Sequence, residues 1–222
     1  MLKRILWQVA LATVVMASPA FAQEKRVEVS VLLGWTFSDG VDGQAVVTPS
    51  GVFDRIDPKD SFKWGLGVGF LTTENAEVGF LFGQQMTTLQ AGGTSTVDIG
   101  DSTINTYHGY FGYNWGSSDA MARPYALIGL GATNYSGVDF TRANGQPGTI
   151  GSETQFSTTW GAGVKLYPSP NIGARIGIQW TPTYIKSDAA GYWCDPYWGC
   201  YLVGDAQYSN QWDISGGITF RF

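Results

Sequence analysis

One stretch of the sequence alternates large apolar residues with glycine or lysine over its first nine positions: Phe62-Lys63-Trp64-Gly65-Leu66-Gly67-Val68-Gly69-Phe70-Leu71. A period of two is that of a β-strand, because successive side chains along a strand point to opposite faces. One face of this strand is therefore apolar throughout, and the other carries small or charged groups. The sequence predicts a strand whose two faces meet different surroundings.

Seven further stretches alternate in the same way and predict seven further strands: residues 26–37, 77–83, 106–115, 123–133, 156–166, 173–180 and 212–222. The phase of the fifth strand is ambiguous, and we assign its outward face to Ala126, Ile128, Leu130 and Ala132. Short connections follow the second, fourth and sixth strands. Long ones, at residues 38–61, 89–102, 136–153 and 186–206, follow the first, third, fifth and seventh. An even strand number with short turns at one end and long loops at the other is typical of outer-membrane barrels.

The composition excludes several classes of protein. Charged residues make up 14% of the chain, against roughly 25% in soluble domains, which is too few to cover a water-facing surface. No stretch after the first 22 residues has the ~20 consecutive apolar residues of a membrane-spanning helix. The formal net charge of −5, with a single histidine, argues against nucleic acid as a partner, because phosphate binding needs clustered lysines and arginines.

The fold class that remains is all-β: a single eight-stranded antiparallel transmembrane up-and-down β-barrel. A soluble lipocalin-type barrel would show the same alternation with its apolar face turned inward. Three features favour lipid on the outside. The apolar faces carry no charge, the opposite faces are rich in glycine and poor in charge, and large aromatic residues concentrate toward the strand ends, where the bilayer interface lies.

The beginning of the chain has the three parts of a secretory signal peptide. Lys3 and Arg4 precede an apolar run, and Ala20-Phe21-Ala22 supplies the small residues of a cleavage site. We therefore expect residues 1–22 to be a cleaved signal peptide and residues 23–222 to form the barrel domain. In an exported protein, Cys194 and Cys200, six positions apart, are expected to form a disulfide.

Two segments carry a resemblance to a known family: Arg123-Pro124-Tyr125-Ala126-Leu127-Ile128-Gly129-Leu130-Gly131 and Gly216-Gly217-Ile218-Thr219-Phe220-Arg221-Phe222. The chain resembles the small eight-stranded outer-membrane proteins of the OmpA-like transmembrane barrel, OmpX and OmpW type. The resemblance implies location in the outer membrane, among its lipid and lipopolysaccharide. It also implies that Phe220 and Phe222 form the signal recognised by the barrel-assembly machinery.

Six charged residues have the inward phase near the end of the barrel that carries the short turns: Glu28, Glu77, Arg123, Lys165, Arg175 and Arg221. Because a charge in a narrow bore must be paired or hydrated, we expect them to form an interior ionic network that plugs the barrel. The alternative is a gated ion path. Inward glycines permit either tight curvature or a cavity for a small solute.

His108 is the only histidine and therefore the only ordinary imidazole base. Some eight-stranded barrels modify lipid A, and such enzymes need a histidine together with a serine nucleophile and an acid. The neighbours of His108 on its strand face are Thr106 and Tyr110, with no serine or acid nearby on that face. We therefore predict no catalytic residue, and no cofactor or metal site.

The long loops contain twelve of the eighteen acidic residues, among them Asp54, Asp57 and Asp60. Carboxylates suit Ca²⁺ or Mg²⁺, but the spacing matches no twelve-residue calcium loop, so a hydrophilic surface is the alternative that we favour.

The fourth loop carries five large aromatic residues around the two cysteines: Tyr192, Trp193, Tyr197, Trp198 and Tyr201. Rigid aromatic side chains make effective contact anchors, so this loop is a candidate for recognition of a surface partner. Packing over the barrel mouth, or insertion among lipopolysaccharide chains, is the alternative.

These observations together predict an outer-membrane barrel with a structural or surface-interaction role, exerted through long acidic and aromatic extracellular loops. A narrow OmpW-like channel for small solutes is the alternative function. A lipid A-modifying enzyme is the third and least favoured.

Overall fold

The computed structural model describes residues 26–48, 51–94, 96–141, 147–185, 194–195, 199–200 and 207–222. These residues form fourteen strands, in chain order β1 (Val27–Ser38), β2 (Val41–Thr48), β3 (Gly51–Pro58), β4 (Ser61–Leu71), β5 (Ala76–Gly93), β6 (Val97–Asn114), β7 (Ala122–Tyr135), β8 (Val138–Thr141), β9 (Pro147–Ile150), β10 (Glu153–Leu166), β11 (Ile172–Ile185), β12 (Cys194–Asp195), β13 (Gly199–Cys200) and β14 (Gln207–Arg221). In this described part of the chain, no helix is long and apolar enough to cross a membrane.

Eight long strands close into a barrel in the order β1–β4–β5–β6–β7–β10–β11–β14, and β14 pairs with β1 to complete the ring. All neighbouring strands are antiparallel. Short connections at residues 72–75, 115–121 and 167–171 lie at one end, called here the turn end. The short hairpins β2–β3, β8–β9 and β12–β13 belong to the opposite end, called here the hairpin end. The predicted all-β, eight-stranded antiparallel barrel is confirmed.

The barrel strands turn apolar side chains outward. In β4, Leu66, Val68 and Phe70 are 41–49% exposed, whereas the glycines between them are buried. The phase assigned to the fifth predicted strand, which is β7, is correct, because Ile128 and Leu130 are exposed whereas Leu127 and Gly129 are buried. An outer surface of bare apolar side chains is suited to contact with acyl chains.

The connections at the hairpin end differ from the expected loops, because they continue as β-structure. β5 and β6 are each 18 residues long and remain paired as far as Ala91 and Val97. β2 and β3 form a hairpin within the first expected loop, and β3 also pairs with the far end of β5. The outward residues of the β5 extension include Gln84, Thr88 and Gln90, which are polar, so the alternation that marks the other strands is lost there. A search for alternation therefore underestimates the length of such strands.

Candidate functional site

Charged side chains meet across the bore at the turn end. Lys165 on β10 places its Nζ 2.5 Å from Glu28 Oε2 on β1 and 2.5 Å from Glu77 Oε2 on β5. Both strands are three positions from β10 in the ring of eight, so the lysine bridges opposite walls. Arg221 Nη2 lies 2.8 Å from Glu28 Oε1. These four residues, the ion cluster, are only 1–6% exposed.

Polar neighbours complete the surroundings of the two carboxylates. Glu28 accepts a hydrogen bond from the Tyr167 hydroxyl at 2.8 Å, and Glu77 accepts one from Asn114 Nδ2 at 3.0 Å and another from the Tyr110 hydroxyl. Several donors around each carboxylate offset the cost of removing it from water. Sequence reasoning did not assign these three partners to the network. Tyr110 and Asn114 nevertheless share the inward phase of their strand, which is the signal that could have identified them.

The other two residues of the expected network make no contact with a carboxylate among the described residues. Arg175 donates from Nε to the Tyr125 hydroxyl at 2.9 Å, and its guanidinium lies 4.4 Å from the centre of that ring. Arg123 donates from Nη2 to the backbone carbonyl of Glu74 at 2.6 Å, while its Nε has no hydrogen-bond partner. Both side chains face the bore. Their hydrogen-bond acceptors are neutral oxygens, and the number of charged residues in the sequence does not reveal these partners.

Tyr110 and Tyr125 fill the bore beside the ion cluster and pack against buried leucines of β5 and β7. The glycines of the inward face make room for these rings. A Cβ added at Gly79 would lie 2.6 Å from the Tyr110 ring, and one added at Gly163 would lie 2.8 Å from the Tyr125 hydroxyl. At these positions the inward glycines accommodate aromatic side chains from other strands.

A second ionic contact, which the sequence interpretation did not include, lies farther along the bore. Lys63 Nζ is 2.5 Å from Asp213 Oδ2, and Thr36 donates a hydrogen bond of 2.5 Å to the other oxygen of this carboxylate. A cavity of about 30 Å³ lies beside the pair, which is room for about two water molecules. The sequence pattern indicates the inward phase of Lys63 and Asp213, but it does not indicate that the two side chains contact each other.

His108 lies in a layer of hydroxyl groups in the same region. Its Nε2 is 2.9 Å from Ser157 Oγ, which also accepts a hydrogen bond from the Thr133 hydroxyl at 3.0 Å. The serine comes from β10, two strands away from His108 on β6, so the strand of His108 by itself gave no sign of it. Nδ1 of His108 has no hydrogen-bond partner in the described part of the protein. His108 is 0% exposed and Ser157 is 1% exposed.

Amide side chains cross the bore toward the hairpin end. Gln211 Nε2 on β14 donates to Gln85 Oε1 on β5 at 2.8 Å, and Gln85 Nε2 donates in turn to the hydroxyls of Ser38 and Ser61. Beyond them, buried Ile104, Tyr135 and Ile185 form an apolar cluster, and the first residue of β2, Val41, packs against it. The start of the β2–β3 hairpin thus covers part of the mouth.

Charged side chains of the first two connections are paired with one another at the hairpin end. Arg55 on β3 donates to Asp57 at 2.7 Å and also to Asp39. Lys59 Nζ lies 2.8 Å from Asp98 Oδ2. Hydrogen bonds from Lys59 and from Gln90 hold the pKa of the Asp98 carboxyl below its ordinary value of 3.8.

The three aspartates considered as cation ligands are not assembled around a common point. Asp57 receives the Arg55 guanidinium, and Asp60 accepts the backbone N–H of Ser38 at 3.0 Å. Within the described ranges, no group of three or more His, Cys, Asp or Glu side chains is placed to hold a metal ion.

The aromatic residues proposed for recognition, Tyr192, Trp193, Tyr197, Trp198 and Tyr201, lie outside the described residues. The backbone around the two cysteines is described, and β12 and β13 place Cys194 directly opposite Cys200 in an antiparallel pair. Close opposition of the backbones is what a disulfide needs, and the disulfide itself stays a prediction. The two residues of the expected assembly signal, Phe220 and Phe222, point outward and are 38% and 58% exposed.

Comparison with known proteins agrees with this architecture. A model of the outer membrane protein β-barrel domain matches residues 9–222. Among solved structures, OprG from Pseudomonas aeruginosa is 12% identical over 90% of this chain and 97% of its own, with a TM-score of 0.59. AlkL in lipid bilayers is 12% identical over 93% of this chain and 94% of its own (TM-score 0.55). Neisserial surface protein A is 11% identical over 88% of this chain and 97% of its own (TM-score 0.50). A comparison with curated protein sequences finds no significant match. At these identities, the structural likeness demonstrates the fold alone.

Proposed function

The chain belongs to the outer membrane protein β-barrel family, and on that basis we propose that it is a closed barrel with a structural and surface-interaction role. Its extracellular hairpins contact a partner at the cell surface and the surrounding lipopolysaccharide. The turn end faces the periplasm, as is usual for the short connections of such barrels.

The observation that carries this proposal is that side chains bond across the bore at separate levels. Lys165 joins Glu28 and Glu77 from opposite walls at the turn end, and Gln211 joins Gln85 toward the hairpin end. Between these levels, Tyr110 and Tyr125 occupy the space above the inward glycines. An eight-stranded barrel is just wide enough for its own side chains, so a solute could pass only if these contacts broke.

The experiment that tests closure is conductance of the purified protein in planar bilayers. We expect no resolved channel from the wild type and transient openings from Lys165→Ala, because that substitution removes the side chain that joins the two walls. Gln90→Ala, at a side chain outside the bore, is the control and should resemble the wild type. Resolved, solute-dependent conductance of the wild-type protein would overturn the proposal in favour of a narrow channel.

Burial of the single histidine supports a role without catalysis. His108 and Ser157 lie within hydrogen-bond distance, as a base and a nucleophile would. Both are enclosed by the barrel wall, however, and His108 Nδ1 contacts no orienting acid among the described residues. Mass spectrometry of lipid A from cells with and without the protein should give identical spectra. A difference that Ser157→Ala abolishes would identify an enzyme.

The surface role is tested with the aromatic residues of the fourth connection. Trp193→Ser, Tyr197→Ser and Trp198→Ser, combined, should leave the folded barrel intact and reduce adhesion or partner capture by intact cells, because large aromatic side chains carry much of the energy of interfaces. Asp139→Ser in the neighbouring β8–β9 hairpin is the control. Adhesion of the triple variant at the wild-type level would exclude this loop as the contact.

A further inference from the structure

A cavity of about 780 Å³ lies at the turn end, bounded by the three short connections. Its lining includes Leu71, Glu74, Ser118, Tyr167, Pro168 and Arg221. The volume falls within the roughly 300–1,000 Å³ of small-molecule sites in proteins. We refer to this cavity as the turn-end vestibule.

Arg221 forms part of the vestibule wall and offers one edge of its guanidinium to it. The opposite edge is occupied, because Nε and Nη2 donate to Glu28 Oε1 at 3.1 and 2.8 Å. Within the described part of the chain, Nη1 makes one long hydrogen bond of 3.3 Å, to the carbonyl of Ser118, which itself lines the vestibule. The guanidinium stacks 3.7 Å from the centre of the Tyr167 ring, so it is held in a fixed orientation.

Arg123 lies directly behind the wall. It is fully buried, and its Nη2 donates to the carbonyl of Glu74, a lining residue. Its Nε–H has no hydrogen-bond partner among the residues that the structure describes. A guanidinium carries five N–H donors, and leaving such a donor unpaired in a buried place is costly. An anion bound in the vestibule would lie close to this buried positive charge and be attracted to it.

The charge balance favours an anion. The inward charges at this end are four cations and two carboxylates: Arg123, Lys165, Arg175 and Arg221, against Glu28 and Glu77. The two carboxylates are already shared between Lys165 and Arg221. The vestibule wall adds Arg26, Glu74 and Asp119, of which Glu74 accepts the Ser118 N–H at 2.7 Å. Arg123 is thus a buried positive charge that no carboxylate of the described residues contacts.

We propose that the turn-end vestibule binds the anionic group, carboxylate or phosphate, of a small periplasmic molecule. Guanidinium N–H groups bind both oxyanions through charge-assisted hydrogen bonds. Arg221 in the wall is the donor, and buried Arg123 behind the wall adds a second positive charge. Leu71, Tyr167 and Pro168 provide an apolar surface for the body of such a molecule. The site is independent of the surface role proposed above, because it lies at the other end of the barrel.

The test is a titration of the protein in lipid nanodiscs, followed by the NMR shifts of the Ser118 and Tyr167 amides. The probes are inorganic phosphate, N-acetylalanine and the uncharged N-acetylalaninamide. We expect saturable shifts with an anionic probe and none with the amide. Saturation by phosphate alone identifies a phosphate site, and saturation by N-acetylalanine alone identifies a carboxylate site. No saturable shift with either anion would overturn the proposal.

Three substitutions separate a specific site from general attraction of anions. Arg123→Gln should weaken binding about tenfold, because the buried positive charge behind the wall is lost. Asp119→Asn, on an exposed turn where folding is little affected, should tighten binding about two- to threefold by removing a like charge from the wall. Arg55→Gln at the hairpin end is the control and should change nothing. Unchanged or weaker binding by Asp119→Asn would contradict the assignment even if Arg123→Gln failed to fold.

Discussion

At the turn end of the bore the inward side chains are charged or aromatic, whereas toward the hairpin end many are hydroxyls and amides. The ion cluster has four buried charges joined by three ion pairs, whose N–O distances are 2.5–2.8 Å. Apart from the Lys63–Asp213 ion pair, the opposite half depends on neutral contacts such as Gln211 to Gln85 and Thr133 to Ser157. Loss of one partner therefore has different consequences at the two ends, because an unpaired buried charge costs far more than an unpaired amide or hydroxyl.

The largest effect should come from Lys165→Met, which leaves Glu28 and Glu77 buried without their shared cation. We expect the free energy of unfolding to fall by about 3–5 kcal/mol, measured by urea unfolding in lipid vesicles with tryptophan fluorescence. The matched control is Lys59→Met, which breaks an exposed ion pair and should cost far less than Lys165→Met, because water screens exposed charges. Similar losses in the two variants would refute the special role of the ion cluster.

A smaller effect is expected for Arg175→Met in the same half. This arginine bonds to the Tyr125 hydroxyl and lies over its ring, so its removal leaves no carboxylate without a partner. We expect a loss of about 1–3 kcal/mol in the same unfolding measurement. A loss as large as that of Lys165→Met would mean that Arg175 balances the charge of the ion cluster at a distance.

At the hairpin end, Gln211→Met should cost about 1–2 kcal/mol, because Gln85 Oε1 then loses its donor. The double variant Gln85→Met and Gln211→Met should cost less than the sum of the two single variants, since the amide–amide hydrogen bond is counted in both single losses. Urea unfolding of the two single variants and the double variant provides the comparison. Strictly additive losses would show that the two amides do not interact.

The smallest effect should lie outside the bore, at the Lys59–Asp98 pair. The pKa of Asp98 is lowered in the folded protein, so the contact is complete above the ordinary value of 3.8 and is lost as the pH falls through the lowered pKa. An NMR titration of the Asp98 carboxyl should therefore have its midpoint below 3.8, and Lys59→Gln should move that midpoint upward. A midpoint that this substitution does not change would show that Lys59 has no influence on Asp98.

Much of the barrel could be predicted from the sequence, because alternation records which face of a strand meets lipid. All eight barrel strands, the three short turns and the inward phase of the six charged residues follow from it. The hairpins beyond the membrane could not be predicted, since strands such as the far ends of β5 and β6 have no apolar face to mark them. The positions of the tyrosines that fill the space above the glycines could not be predicted either. A glycine in an alternating pattern does not reveal which side chain occupies the space beside it.

The sequence by itself determined the number of strands, their order along the chain and the faces that look inward, since these depend on the geometry of one strand at a time. Only the tertiary structure decided which inward residues meet. Lys165 contacts Glu28 and Glu77, Lys63 contacts Asp213, and His108 contacts Ser157. Each contact joins strands that are not neighbours in the ring. Whether such a contact forms depends on the register of every strand pair that lies between the two strands. The sequence pattern of a single strand does not specify these registers.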